Sequence, residues 1–178
     1  LLASQILLVN LLADLPAMAL ATDSVDPEQI QRPRRWDVRF LIRFMLSFGL
    51  VSSLFDFLTF GAMFYVFHEL QTPEMTGVFE EVFRTGWFVE STLTGLMILA
   101  VVRTQRPFFL SPPGKFFLWA ELSVAVLTVL LPYSKLAALL GFIAPPPKLL
   151  AVVLGITVLY GIGMEFVKHR FFRSVSRS

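Results

Sequence analysis

Residues 44–67 have the sequence FMLSFGLVSSLFDFLTFGAMFYVF, in which Asp56 is the only charged side chain. A stretch of about 20 mostly apolar residues can cross the hydrocarbon core of a bilayer as a helix. A separate strand of this length would leave backbone groups unpaired in lipid, so helix is the conformation to expect. Four further stretches meet the same criterion, at about 1–21, 86–102, 116–131 and 148–167. We therefore predict an all-α, polytopic membrane bundle of five transmembrane helices.

The composition supports a membrane protein and excludes several other classes. Of the 178 residues, 56% are hydrophobic and 16% are charged, whereas a soluble domain carries about 25% charged residues. The chain has no cysteine, which removes thiolate metal sites and thiol catalysis. It also lacks a glycine-rich phosphate loop and the motifs of serine hydrolases and zinc proteases. We expect the lipid bilayer as a partner and no nucleic acid.

The basic residues predict how the chain is oriented. Twelve of the fifteen lysines and arginines fall in the segments 32–43, 103–115 and 168–177. Because cytoplasmic loops are enriched in lysine and arginine, these segments are predicted to be cytoplasmic. The N-terminus is then outside and the C-terminus is in the cytoplasm. We expect a multi-pass protein of the cell inner (plasma) membrane.

Asp14 is the most informative acidic residue in a predicted span. Asn10 lies four residues earlier, on the same helix face, and Pro16 frees a backbone carbonyl about one turn before it. An amide oxygen, a carboxylate and unpaired carbonyls are hard oxygen ligands of the kind that Mg²⁺ or Ca²⁺ prefers. The pattern favours a cation site at Asn10 and Asp14 over a proline kink with a purely structural polar contact.

Four further acids lie within or at the edge of spans. An ionisable group costs a few kcal/mol there, so each one requires a reason. For Glu121 and Glu165, a packing pair or an acid that reaches water at the span end is favoured. For Asp56 and Glu90 this interpretation and a contribution to the cation site both stay open. Three spans carry small and hydroxyl residues at a spacing of three or four, which indicates a closely packed bundle with their acids turned inward. These stripes contain Ser52, Asp56 and Thr59 in the second span, Glu90 and Thr94 in the third, and Thr157, Gly161 and Glu165 in the fifth.

The order of several segments gives the chain a family resemblance. QILLVNLLADLPAMAL at 5–20 resembles the sixth transmembrane helix of P-type cation-transporting ATPases. RFM, SSLFDFLTF, GWFVES and VRTQRP, which begin at residues 43, 52, 86 and 102, resemble helices seven to ten of the magnesium-transporting subclass. The resemblance covers nearly the whole chain and implies a pump that couples ATP hydrolysis to cation movement.

The resemblance also implies which residues bind the ion. In that family the sixth helix contributes ion ligands, and the matching positions are Asn10 and Asp14, with Glu90 matching an eighth-helix acid of some relatives only loosely. Calcium pumps carry a threonine where this chain has Ala13. Loss of that hydroxyl argues against a calcium site and suits Mg²⁺, which keeps part of its water shell.

The same resemblance implies that residues 1–178 are the C-terminal transmembrane domain of a larger protein. The family's D-K-T-G phosphorylation motif, nucleotide-binding domain and actuator loop all precede the sixth helix, so the chain alone would not hydrolyse ATP. Its expected partners are the earlier spans and the cytoplasmic domains of the same pump, which would use ATP and Mg²⁺. Three alternatives stay open: a proton-pumping relative, a calcium-pumping relative, and a stand-alone five-helix scaffold or accessory subunit.

Overall fold

The computed structural model of the chain describes residues 1–23, 38–69 and 78–175. Within these ranges the five predicted spans are five long helices, and no residue is in a strand. The helices are α1 (Ala3–Leu20), α2 (Val38–Glu69), α3 (Phe79–Val102), α4 (Lys115–Leu130) and α5 (Pro147–Val175). The arginines at 32, 34 and 35 and the acid at 74 lie outside the described residues.

Three helices are longer than the predicted apolar stretches. α2 and α3 begin earlier than residues 44 and 86, and α5 continues beyond 167. The added turns are more polar, since backbone hydrogen bonding does not end where the hydrocarbon does. Glu80 and Glu81 lie in the first turn of α3, where negative charge stabilises the helix dipole. Pro147 is the first residue of α5, a position that proline favours.

α3 is the central helix of the bundle. It packs against each of the other four long helices, and α1 packs with α4 while α2 packs with α5. Half of the apolar window of α3 is buried within the protein, against 6% of that of α2. About half of the side chains in this window of α3 are therefore shielded from lipid by neighbouring helices, whereas most of α2 faces away from the bundle.

Gln5 connects the start of α1 to the segment between α4 and α5. Its fully buried side chain donates from Nε2 to the backbone oxygens of Leu140 (3.2 Å) and Gly141 (3.0 Å) and accepts from the backbone N–H of Leu2. Gly141 has a φ of 70° and ends a short helical turn, a backbone conformation that glycine adopts without strain. A β-carbon there would lie 2.5 Å from Leu2 Cδ1.

Arg103 joins three helices at the opposite end of the bundle, which we call the basic end (Asp23, residues 103–114 and the last turns of α5). Its Nη1 donates to Asp23 Oδ2 at 2.8 Å, and its Nη2 donates to the backbone oxygen of Ser111. Asp23 Oδ1 accepts from the backbone N–H of Gly114 at 2.6 Å. Both charged side chains are almost completely buried, at 3% and 7% exposed. The ends of α1 and α3 and the start of α4 are thus fixed by one ion pair.

Lys168 ties α5 to the same end. Its fully buried ammonium donates to the backbone oxygens of Val101 (3.0 Å) and Arg106 (2.7 Å) and lies 2.9 Å from Glu165 Oε2. The lysine therefore satisfies the carbonyl oxygen of Val101, in the last turn of α3, where carbonyls have no partner within the helix. Glu165, predicted as a packing pair or an end-of-span acid, belongs to this contact.

Gly161 allows α5 to approach α3 closely. A β-carbon at Gly161 would lie 2.8 Å from Met97 Sδ, whereas one at Gly155 on the same helix would meet nothing within 4 Å. Because the atoms that a β-carbon at Gly161 would meet belong to the flexible side chain of Met97, we predict that Gly161→Val lowers the free energy of unfolding by about 1 kcal/mol, and that Gly155→Val changes it by no more than about 0.5 kcal/mol. Thermal unfolding of the two purified variants in detergent measures the difference, and equal effects would contradict the close approach.

The Arg103–Asp23 pair makes a second prediction. Arg103→Met leaves a buried carboxylate without its partner, and we expect a loss of about 3–5 kcal/mol in stability. The matched control is Arg84→Met, which breaks a 3.6 Å pair with Glu81 in which both side chains are a quarter or more exposed, and which should cost less than about 1 kcal/mol. Chemical unfolding in detergent compares the two variants.

Candidate cation site

Asn10 and Asp14 share one face of α1, and that face is exposed. The buried residues of the helix are Gln5, Leu12, Pro16 and Ala19, which form the stripe that packs against the bundle. With 3.6 residues per turn, Asn10 and Asp14 lie on roughly the opposite side of the helix. Both are exposed in the structure. The two predicted ligands are therefore neighbours, as their spacing indicates, and face away from α3 and α4.

Glu90 has the opposite environment. It lies on the central helix with an exposed fraction of 0%, and neither carboxylate oxygen has a hydrogen-bond partner. Thr94 Oγ1 donates a hydrogen bond to the backbone oxygen of Glu90, at a distance of 2.9 Å. This hydroxyl therefore does not bond to the Glu90 carboxylate. A buried carboxylate without a partner is energetically unfavourable, which makes Glu90 unusual among the described residues.

Oxygen-bearing side chains of α2 and α3 lie near Glu90. Asp56 on α2 lies near enough for charge repulsion, and the hydroxyls of Thr59 and Ser91 lie close to the carboxylate without a well-formed hydrogen bond. Thr59 is itself completely buried and its hydroxyl has no partner. On the far side of Asp56, Ser52 Oγ and Tyr160 OH share a hydrogen bond of 2.8 Å. We call Ser52, Asp56, Thr59, Glu90, Ser91 and Tyr160 the Asp56–Glu90 cluster.

The cluster contains two carboxylates and four hydroxyls. In the part of the chain that the structure describes, no lysine, arginine or histidine pairs with either carboxylate, and no three acidic, histidine or cysteine side chains converge as in a dense metal site. Such a set offers hard oxygen atoms without a counter-charge. It can hold a cation that retains some of its water, or a proton.

Sequence reasoning found some of these residues and missed others. The spacing of Ser52, Asp56 and Thr59 predicted a shared face of α2, and the structure turns that face toward α3 and α5. Tyr160 was missed because it lies one residue away from the predicted stripe of Thr157 and Gly161. A tyrosine within an apolar span usually has a hydrogen-bond partner, and that rule could have identified it.

Glu121 lies outside the cluster. It borders an apolar cavity of about 550 Å³ between α3, α4 and the segment 108–113, near the basic end. Its Oε1 is buried without a hydrogen-bond partner, because Asp23 takes the nearby guanidinium of Arg103. Glu121 is therefore separate from Asn10, Asp14 and Glu90.

The family profile described as "Cation transporting ATPase, C-terminus" matches residues 1–170 of the sequence. The chain belongs to this family. Together with the five membrane-spanning helices, the match makes it the multi-pass C-terminal membrane domain of a P-type cation ATPase, which confirms the resemblance that its helices indicate.

The similar proteins in this family carry magnesium in their names. The "Magnesium-transporting ATPase, P-type 1" of Salmonella typhimurium strain 14028s / SGSC 2262 is 40% identical over 172 residues, which is 94% of this chain. The protein of the same name from Escherichia coli K12 is 38% identical over the same length. The matched region is 18% and 19% of these relatives, so this cation-transporting ATPase domain spans about a fifth of their length.

The hydrogen bond between Ser52 and Tyr160 is the measurable link between α2 and α5 in the cluster. We predict a coupling free energy of about 0.6–1.7 kcal/mol between Ser52→Ala and Tyr160→Phe, the size found for hydrogen bonds between membrane helices. A double-mutant cycle on thermal unfolding in detergent measures it. If the two losses simply add, the contact does not hold the helices together.

Proposed function

We propose that the chain is the membrane part of an ATP-driven magnesium transporter of the inner membrane, and that α1 contributes Asn10 and Asp14 as ligands for the transported ion. The observation that carries this proposal is the shared position of an amide and a carboxylate on the uncovered face of α1. The names of the similar proteins support magnesium as the ion.

The exposed face of α1 is energetically unfavourable in lipid. A charged side chain turned toward lipid costs at least a few kcal/mol, and Asn10 adds an unsatisfied amide on the same side. Leu7 and Met18 lie on the same face and are 70% and 74% exposed, so no other helix among the described residues covers this face. We infer that it meets other segments of the pump, which shield the two ligands from lipid.

The residue types favour magnesium over calcium. Ca²⁺ takes six to eight oxygen ligands, whereas Mg²⁺ usually keeps several waters and uses one or two carboxylates. Asn10 and Asp14 offer two oxygen-bearing side chains, and Ala13 adds none. A small ligand set of this kind suits an ion that arrives partly hydrated.

The prediction is that Asp14→Asn, made in the complete protein that contains this chain, abolishes Mg²⁺-stimulated ATP hydrolysis. The substitution keeps the size of the side chain and removes the charge that balances the ion. The control is Glu80→Gln, an exposed acid in the first turn of α3, which should leave the stimulation intact. ATPase activity of purified protein in lipid vesicles is measured against free Mg²⁺ at fixed MgATP.

Normal magnesium stimulation in the Asp14→Asn protein would refute the assignment of this ligand. Stimulation of the unmodified protein by Ca²⁺ or by protons in place of Mg²⁺ would instead point to another ion. A complete protein that binds no ATP would favour the scaffold alternative.

A further inference from the structure

The Asp56–Glu90 cluster is an arrangement of oxygen atoms that the protein leaves unbalanced. Glu90 and Thr59 are both 0% exposed, and three of their side-chain oxygens have no hydrogen-bond partner. Native proteins leave few buried polar groups unsatisfied. Here the unsatisfied groups lie beside one another on two different helices, α2 and α3, and therefore form one site.

The cluster is also separate from the ligands proposed on α1. Asn10 and Asp14 are exposed and face away from the bundle, whereas Glu90 is completely buried on the central helix α3. No group of three acids forms between them among the described residues. A single ion therefore does not contact both sets in this arrangement of helices.

We propose that the Asp56–Glu90 cluster holds a second cation site, in which a hard divalent cation is bound by Asp56 and Thr59 of α2 and by Glu90 of α3. The identity of the ion as Mg²⁺ rests on the proposed function; the existence of the site does not. The Ser52–Tyr160 hydrogen bond lies beside it and fixes α2 against α5.

Charge and ligand type argue for a divalent ion. Two ionised carboxylates carry a charge that a divalent cation neutralises, and no basic side chain of the described residues does so. Carboxylate and hydroxyl oxygens suit Mg²⁺, Ca²⁺ and Mn²⁺ and not softer metals. Because three protein ligands do not fill an octahedral shell, the ion would retain water.

The test counts bound Mn²⁺, which prefers the same ligands and is seen directly by electron paramagnetic resonance. The complete protein, without nucleotide, is titrated with Mn²⁺ in detergent. We expect Asp56→Asn and Glu90→Gln each to remove one bound Mn²⁺ per molecule, and Asp14→Asn to retain that ion. Excess Mg²⁺ should displace it from the unmodified protein.

Matched threonine variants test the ligand role apart from folding. Thr59 and Thr128 are both 0% exposed, but Thr128 Oγ1 donates to Val124 within its own helix, whereas Thr59 Oγ1 has no partner. Thr59→Val should weaken Mn²⁺ binding at this site by at least about tenfold, the loss that removal of even an outer-shell partner causes. Thr128→Val should leave binding unchanged, and cooperative unfolding of each variant shows that it is folded.

The outcomes separate this inference from the proposed function. An unchanged Mn²⁺ count in Asp56→Asn and Glu90→Gln overturns the site and leaves a protonated carboxyl pair. Loss of the same ion in Asp14→Asn overturns its independence from α1. A protein whose ATPase is not stimulated by Mg²⁺ but which loses Mn²⁺ in the Glu90 variant refutes the proposed function and retains the site.

Discussion

The buried ion pair between Arg103 and Asp23 is the constraint on which the arrangement of the helices depends. A buried guanidinium requires a counter-charge and hydrogen-bond acceptors, and here a carboxylate from the end of α1 and a carbonyl oxygen before α4 provide them. Phe117 lies under the same guanidinium, with its ring centre 5.8 Å away. Sliding α1 or α4 along α3 would break several charged hydrogen bonds at once, so the pair sets how far each helix extends.

Lys168 of α5 is a second buried cation whose donors are met by polar partners. Its ammonium occupies the end of α3, where helical carbonyls lack partners, so α3 is held at this end by one cation of its own and one from α5. The opposite end of α1 is held by neutral hydrogen bonds of Gln5. Between these fixed ends, α3 carries Glu90 through the middle of the bundle. The rigid ends explain how an unsatisfied carboxylate can be kept in a fixed place inside an apolar bundle.

The sequence could predict the spans and the family, and the reason is that both depend on local patterns. Hydrophobic length predicted five helices, and only their polar end turns were missed. The contacts between Arg103 and Asp23 and between Gln5 and Gly141 were not predicted, since they join residues 80 and 136 positions apart. The count of lysines and arginines on each side of the membrane also treats every basic residue as facing water, whereas Arg103 and Lys168 are buried. Their burial depends on packing that periodicity does not encode.

The acids differ most in their surroundings. The spacing rules predicted that the acids of the second, third and fifth spans turn inward, and Glu90 is completely buried, whereas Asp14 lies on the exposed face of α1. A helix has two sides, and the position of Pro16 and Ala19 in the buried stripe of α1 leaves Asn10 and Asp14 on the other side. The group that balances an acid on the packed side of a helix has to lie within the domain. The group that balances an acid on the exposed side has to lie outside it. The two carboxylates therefore have different neighbours. Glu90 is buried among the helices of this domain, whereas Asp14 faces segments that would lie against the outer face of α1.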